Sequence, residues 1–389
     1  MFERVKDVDH PDERMLSVFR DYGVVAKDSR GNLNQTAENR SIYQLVHPGW
    51  LVTNRMKAWQ GSVGISPLRG IVSGHYICFA PRHSEDARYL NWLFRSPPYT
   101  HAYMLLSRGV RIGQVEIDND DYRLLPVLVP PLDEQRAIAD YLDRETGRID
   151  ALIEEQQRLI ELLRERRDSV WARGFQSAHS SGPTVRLRRV LASIVDGPFG
   201  SSLTSAHYAD EGTRVIRLGN IGMCAFRDSD AAYISNDYAE QLREHAVWPG
   251  DVVIAGLGDD RMPLGRATVI PDLGPAIVKA DCYCARPTGA VTPSYLAWAL
   301  TAPQTRSQMM LLARGATRAR LNTSVVQQVE IPLPSKDVQA ALVAEWANRA
   351  TKIDNLIEEA ETFIELARER RSALITAAVT GQIDVRAAA

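Results

Sequence analysis

Two copies of one segment decide the fold: residues 148–167 read RIDALIEEQQRLIELLRERR, and residues 352–371 read KIDNLIEEAETFIELARERR. The copies lie 204 positions apart, and 13 of their 20 positions are identical. Neither copy contains Pro or Gly, and apolar residues recur in steps of three and four. This spacing is typical of a helix with a heptad seam. The chain therefore contains two related long helices.

The apolar positions predict which side chains form the seam. In the first copy they are Ile149, Leu152, Leu159, Leu163 and Val170. In the second copy, apolar or small residues stand at Ile353, Leu356, Ala360, Phe363, Ala367 and Leu374. Gln156 interrupts the first seam, and it is either a polar residue that sets the register or a tolerated residue at the edge. Two such helices pair most simply as an antiparallel coiled coil about a pseudo-two-fold axis.

A mixed segment precedes each helix, and both segments follow the same order. A Pro-Gly turn at Pro48 or Pro249 leads into two predicted strands and an amphipathic helix with the pattern Tyr-Leu-x-Trp. A Leu-x-Arg-Gly phrase and an apolar run punctuated by proline follow. We predict an α+β protein with two mixed α/β modules, each followed by a long helix. The predicted segments are a first module at 1–130, a helix at 131–183, a second module at 184–333 and a helix at 334–389.

Composition limits the possible classes of protein. Of the 389 residues, 45% are hydrophobic and 24% are charged, which is ordinary for a globular protein. No run approaches the roughly 18 apolar residues of a membrane helix, and the first 14 residues are too polar for a signal peptide. The four cysteines are too few for a disulfide scaffold and lack the spacing of a zinc finger. We therefore expect a cytoplasmic protein with no membrane partner and no metal.

Several phrases resemble those of the specificity (S) subunits of type I restriction–modification systems. They are NRMKAWQGSVG at 54–64, PPLDEQ at 130–135, DGPFGSSL at 196–203, RLGNI at 217–221 and TAAVTGQID at 376–384. Together with the repeat, the resemblance covers nearly the whole chain. It implies that the modules are target-recognition domains, each of which reads one half of a bipartite DNA site.

The resemblance also implies partners. An S subunit binds double-stranded DNA, two methyltransferase (M) subunits and restriction/translocase (R) subunits, and it is not itself an enzyme. S-adenosylmethionine, ATP and Mg²⁺ are then expected on the partner subunits, with no cofactor in this chain. The residues agree, because we find neither a Walker A phosphate loop nor a recognisable catalytic carboxylate pair.

One departure from the family pattern concerns the beginning of the chain. The second module opens with VRLRRVLASI at 185–194, about 64 residues before its Pro249-Gly250 turn. Only 47 residues precede Pro48-Gly49, and we find no counterpart of that opening there. We expect the first recognition domain to lack its opening segment.

Two other functions compete with this interpretation. Ser96-Pro97-Pro98-Tyr99 matches the tetrapeptide with which adenine-N6 methyltransferases hold a flipped base. The nearest candidate for their glycine-rich turn is AGLGDD at 255–260, but Pro263 would break the helix that must follow it. We therefore favour Ser96–Tyr99 as a helix stop. The other alternative is a coiled-coil scaffold with no DNA role.

Candidate DNA contacts are basic and amide side chains in the modules, because arginine and lysine bind phosphate and asparagine and glutamine pair with adenine. In the first module they are Asn54, Arg55, Lys57, Gln60, Arg108, Arg111 and Gln114. In the second module they are Arg217, Asn220, Arg306, Arg314, Arg318, Arg320 and Asn322. We expect Trp59 and Trp92 to belong to the core and not to stack on bases.

Overall fold

The structure is a computed structural model that describes residues 1–29, 40–108, 116–117, 119–258, 262–313 and 320–386. The contacts divide the chain into two units. The first unit comprises residues 1–158 and 360–389, and the second comprises residues 159–359. Each unit therefore contains one module and part of both long helices.

The first module is built on a four-stranded antiparallel sheet. Its strands are β1 (Phe2–Val5), β2 (Leu16–Phe19), β3 (Gly23–Ala26), β4 (Gln44–Val46), β5 (Leu51–Asn54), β6 (Val63–Ile65), β7 (Gly70–Val72), β8 (Tyr76–Pro81), β9 (Ser107–Arg108) and β10 (Glu116–Ile117). Its helices are α1 (Ala87–Arg95), α2 (Pro97–Leu106) and α3 (Asn119–Arg123). The main sheet has the order β1-β8-β5-β6, and β2–β3, β4–β7 and β9–β10 form pairs.

The first long helix, α4 (Leu132–Ser180), leads into the second module. The strands there are β11 (Thr184–Arg186), β12 (Leu191–Val195), β13 (Tyr208–Ala209), β14 (Thr213–Ile216), β15 (Tyr233–Ile234), β16 (Ala246–Val247), β17 (Val252–Ala255), β18 (Ala267–Val269), β19 (Ala276–Val278), β20 (Cys282–Pro287) and β21 (Glu330–Pro332). The helices are α5 (Asn236–Gln241), α6 (Pro293–Thr301), α7 (Pro303–Leu312), α8 (Thr323–Gln328) and the second long helix, α9 (Lys336–Val379).

The second module repeats the main sheet of the first. Its order is β12-β20-β17-β18, and a further five-stranded sheet has the order β13-β15-β14-β19-β16. In the repeated sheets, Val5 stands opposite Cys78 and Val195 stands opposite Cys284. Strand β1 thus takes the place of β12, so the expectation that the first module lacks any counterpart of the VRLRRVLASI opening was wrong for this strand. In the described part of the first module, no strand takes the place of β11.

The two long helices run antiparallel within each unit. Helix α4 has 49 residues and α9 has 44, so they are about 73 and 66 Å long at 1.5 Å per residue. Residues further along α4 contact residues earlier in α9. The contacts that show this are Glu134–Arg386 (2.9 Å) and Asp150–Arg371 (2.8 Å) in the first unit, and Arg167–Asp354 (2.8 Å) and Trp171–Trp346 (4.4 Å between ring centroids) in the second.

The buried seam differs in detail from the predicted one. Leu152, Leu159, Leu356 and Phe363 are exposed, although their spacing placed them on the seam. The residues that face the partner helix lie one position further along at these turns, as at Ile153, Ile160, Ile357 and Ile364. Each helix carries adjacent apolar residues at several turns, and the heptad spacing alone does not tell which of two neighbours faces inward.

One glutamine joins each module to its long helix. Gln135 is fully buried; its Oε1 accepts the N–H of Asp86, and its Nε2 donates to Glu85 and to the carbonyl of Pro130. Gln339, which is equally buried, accepts the N–H of Thr292 and donates to two carbonyls. This bonding explains why the phrase PPLDEQ ends in glutamine, since the side chain bridges the start of the long helix to the start of α1 or α6.

None of the described helices has an apolar stretch of the length that a bilayer crossing requires. Helix α1 ends at Arg95, and Ser96 caps it, as the interpretation of Ser96-Pro97-Pro98 as a helix stop predicts. Helix α2 begins at once with Pro97, where the missing N–H costs nothing.

Candidate nucleic-acid interface

The turn after β5 presents three of the predicted DNA contacts. Asn54 ends the strand, and its side-chain oxygen accepts the N–H of Met56 at 3.1 Å, which holds the chain in a turn. Arg55, Lys57 and Gln60 follow and are exposed. Asn54 itself is half-buried, so its role here is to shape the turn that displays its neighbours.

A second exposed arginine lies beside this turn. Arg108 stands opposite Glu116 in the β9–β10 pair, and Arg55 forms an ion pair with the same Glu116. The N–H of Ile117 donates to the carbonyl of Arg55. The structure thus brings Arg55 and Arg108 to one edge of the first module. Arg111 and Gln114 lie outside the described residues.

In the second module, the phrase RLGNI forms a tight turn whose asparagine faces inward. Asn220 is fully buried, its Oδ1 accepts the N–H of Arg217 at 2.9 Å, and its Nδ2 donates to the carbonyls of Arg227 and Asp230. The prediction that Asn220 contacts DNA was wrong, because its amide is used to close the turn. The Arg217 side chain is partly exposed and is paired with Asp230.

Two further described candidates of this module, Asn322 and Arg306, use part of their side-chain hydrogen-bonding capacity within the protein. Asn322 is exposed but caps α8, where its Oδ1 accepts the N–H of Val325 at 2.8 Å. Arg306 is partly buried, and its Nε donates to the carbonyl of Thr301. Burial lowers the pKa of Arg306, against the charge of Asp168. Arg314 and Arg318 lie outside the described residues.

Arg320 has the most favourable surroundings for a contact with nucleic acid. About half of its side chain is exposed, its Nε lies 2.6 Å from Asp281, and its guanidinium lies over the ring of Phe199 at 5.1 Å. Phe199 is itself 48% exposed. Arg320 and Phe199 therefore present a cation beside an aromatic surface, a combination that suits phosphates and base faces.

Phe199 was not among the predicted contacts, although its phrase, DGPFGSSL, supported the family resemblance. Gly197 explains part of the phrase, because a Cβ there would stand 2.0 Å from the backbone of Lys279. Asp196 accepts the N–H groups of Gly197 and Asp281, and burial together with the nearby Asp281 raises its pKa to about 6. An aromatic residue within a glycine-rich phrase was the sequence signal that could have identified Phe199.

The residues of the methyltransferase alternative are not arranged for base binding. Tyr99 is buried, and its hydroxyl donates to the carbonyl of Pro126 at 2.7 Å. After β17, residues 262–266 form no helix.

Burial raises the pKa of Cys78 and Cys224 to about 12, so neither thiol is ionised at neutral pH. Within the described ranges, no three His, Cys, Asp or Glu side chains are grouped so that they could hold a metal ion.

Sequence comparison identifies relatives. No protein-family profile matches the chain. A Type I restriction enzyme MjaVIII specificity subunit of Methanocaldococcus jannaschii is 21% identical over 303 residues, which is 72% of this chain and 68% of that protein. The StySPI specificity subunit of Salmonella potsdam is 21% identical over 174 residues, which is 45% of this chain and 37% of that protein. The chain is similar to two type I specificity subunits.

Structural comparison supports the fold described above. A chain in a solved structure of a type I restriction–modification system has a TM-score of 0.65 and 16% identity, with 97% of each chain covered. The match includes both modules and both long helices, since it leaves only a small part of either chain out. The predicted fold class, two α/β modules with an antiparallel pair of long helices, is confirmed.

Proposed function

We propose that this protein is the DNA-specificity subunit of a type I restriction–modification complex, in which each module reads one half of a bipartite target. The observation that carries the proposal is the duplication itself: one chain contains two modules with the same main sheet, each with exposed arginines. A bipartite site needs two reading heads that are held by one scaffold, and this chain has both. It performs no catalysis in this proposal.

The exposed arginines suit the DNA partner. Arg55 and Arg108 in the first unit and Arg320 in the second are exposed or half-exposed, and each lies beside a carboxylate. Such a carboxylate holds the arginine in place and can be exchanged for a phosphate on binding. Because each phosphate contact releases counterions, we expect affinity to fall steeply with salt. Specificity requires further contacts to base edges.

Exposed apolar residues on the long helices suit a protein partner that is present twice. The first unit displays Leu152, Phe363 and Leu366. The second unit displays Leu356, Leu159 and Leu162, which are the respective equivalents at the 204-residue offset. All six side chains are at least 41% exposed. Exposed apolar residues at heptad spacing are typical of a helix that has a further helical neighbour. We therefore propose that two M subunits dock on these equivalent stripes, with R subunits bound in the same complex. S-adenosylmethionine, ATP and Mg²⁺ would then belong to those partners.

The test of half-site reading is a module exchange. Residues 184–333 would be replaced by the second module of a related S subunit, and the complete complex would be expressed in a host whose methylated DNA is sequenced. We expect one half of the methylated motif to change and the other half to stay. A change in both halves would contradict one module per half-site.

The test of M docking uses the apolar stripes. Leu159→Gln and Leu162→Gln together should lower the number of M subunits per chain from two to one, measured by native mass spectrometry. Leu124→Gln, at a residue that is 80% exposed and outside the long helices, is the control. Two M subunits on the double variant would show that the stripe of the second unit is not a docking surface.

A further inference from the structure

The first unit contains a cavity of about 1410 Å³ that the proposed function does not use. Its walls come from helices α1, α2, α4 and α9, from the turn between β2 and β3, and from residues 59–62. Its charged lining residues are four arginines and three carboxylates: Arg20, Arg95, Arg368, Arg371, Asp21, Asp150 and Glu154. Trp59 and Trp92, which we expected in the core, are only partly buried and form part of the cavity wall.

The charges of two arginines at this wall are not equally compensated. Arg371 pairs with both oxygens of Asp150, at 2.8 and 3.2 Å, and its guanidinium faces the ring of Trp92 at 5.9 Å. Arg95 donates from Nη2 to the carbonyl of Arg20 at 2.9 Å, and its Nε is buried without a partner. Within the described ranges, no carboxylate lies at ion-pair distance from Arg95.

Arg95 is nevertheless charged at neutral pH. Burial, followed by the nearby Arg371 charge, lowers the pKa of Arg95 to about 10, and the charge of Asp21 offsets only part of this effect. A cation held away from water beside a second cation is unfavourable unless an anion joins them. This part of the wall therefore suits an anionic ligand.

The second unit shows that the fold does not require this arrangement. Helices α1 and α6 are both nine residues long and lie 206 positions apart, so Thr301 stands in the place of Arg95 and Trp298 in that of Trp92. On the long helices, Trp171 and Trp346 replace Ile375 and Leu142. In the second unit, Trp171 lies 6.5 Å from Trp298 and 4.4 Å from Trp346, between ring centroids.

The same junction is thus filled by three indoles in one unit and carries a partly buried arginine beside a cavity in the other. Both junctions connect a module to the same kind of helix pair, so this connection does not by itself require a cavity or an arginine at the place of Arg95.

We propose that the cavity binds a phosphate-bearing nucleotide, with its phosphate between the guanidinium groups of Arg95 and Arg371. Arg95 offers its unpaired Nε, and Arg371, whose Nε and Nη2 pair with Asp150, adds a second guanidinium group with its Nη1. Guanidinium groups match the charge and the several acceptor oxygens of a phosphate. The indoles of Trp59 and Trp92 offer flat apolar surfaces to a base. The cavity has room for a whole nucleotide, since sites for small molecules commonly have about 300–1,000 Å³.

The nucleotide can be free or part of a DNA strand. Gln60, a candidate DNA contact, also lines the cavity, but Arg95 and Arg371 are not among the residues we assign to the DNA interface. Both sources share the phosphate chemistry, and the experiment distinguishes them.

The experiment measures binding to the full chain by calorimetry at constant ionic strength. The probes are inorganic phosphate, AMP, a DNA duplex of about 20 base pairs and, as a carboxylate control, glutamate. Arg95→Gln should weaken phosphate binding about 10- to 100-fold, because a hydrogen bond to a charged group contributes of that order. Arg88→Gln is the matched control, since Arg88 lies exposed on the same helix, paired with Asp140 and outside the cavity.

The outcomes separate the possibilities. Binding of phosphate and AMP that Arg95→Gln weakens and Arg88→Gln does not supports a free nucleotide. Binding of the duplex alone, with the same response, supports a nucleotide within DNA. If Arg95→Gln does not fold, Arg371→Lys, which retains the charge and loses the fork, should show the same loss. Binding of no phosphate probe, equal binding of glutamate, or equal effects of Arg95→Gln and Arg88→Gln would overturn the proposal.

Discussion

Replacing Gln339 by alanine tests the junction between a module and its helix. The side chain is fully buried and makes three hydrogen bonds, which join it to the N–H of Thr292 at 2.9 Å and to the carbonyls of Pro334 and Ala290 at 2.9 and 3.3 Å. Alanine removes all three. The N–H of Thr292 and the carbonyls of Ala290 and Pro334 then lose their partner next to the start of α6 and α9, and the bond to Pro334 is the most deeply buried of the three.

The magnitude follows from these contacts. A buried polar group without its partner costs about 1–3 kcal/mol, and the bond to Ala290 is long and contributes least. Water that enters the space left by the side chain recovers part of the loss. We expect Gln339→Ala to lower the free energy of unfolding of the second unit by about 2–4 kcal/mol.

The assay is urea denaturation followed by tryptophan fluorescence, together with hydrogen exchange at the first turn of α6. Gln135→Ala should produce at least as large a loss in the first unit, because two of its bonds correspond to those of Gln339 and the third goes to the carboxylate of Glu85 in place of a carbonyl. Gln328→Ala is the control, since Gln328 is exposed and bonds only within its own helix. A loss of under about 1 kcal/mol for Gln339→Ala, or an equal loss for the control, would refute the reasoning.

Three further outcomes are expected. Arg320→Ala should weaken DNA binding and reduce the slope of log affinity against log salt by about one, whereas Arg243→Ala, 80% exposed beside Glu240, should not. The pKa of Asp196 is raised to about 6 from 3.8, so between these pH values the folded state binds a proton that the unfolded state has lost. The free energy of unfolding therefore falls as pH rises from about 4 to about 6, and in thermal melts Asp196→Asn should remove this fall. Trp171→Ile, which copies the residue of the first unit, should cost about 2–4 kcal/mol in the second unit, measured by denaturation. An unchanged salt slope, an unchanged pH profile and a loss of under about 1 kcal/mol would contradict the respective expectations.

The candidate contacts show why residue type predicts a site only in part. Arg55, Lys57 and Gln60 follow a strand and lie on an exposed turn, as their polarity predicts. Asn220 has the same polarity but closes a buried turn. An asparagine that pairs with a base and one that bonds its own backbone have the same donors and acceptors, so only the conformation of the turn distinguishes them.

The sequence by itself determined the duplicated architecture, because a 204-residue repeat and the heptad spacing are properties of the chain alone. It also determined the family resemblance, which the sequence similarity to two type I specificity subunits confirms. Only the tertiary structure decided which face of each helix is buried, since adjacent apolar residues such as Leu152 and Ile153 satisfy the same spacing. It alone placed Phe199 against Arg320 and Arg95 beside Arg371. These residues come from segments far apart in the chain, and no local pattern encodes which of them meet when the core packs.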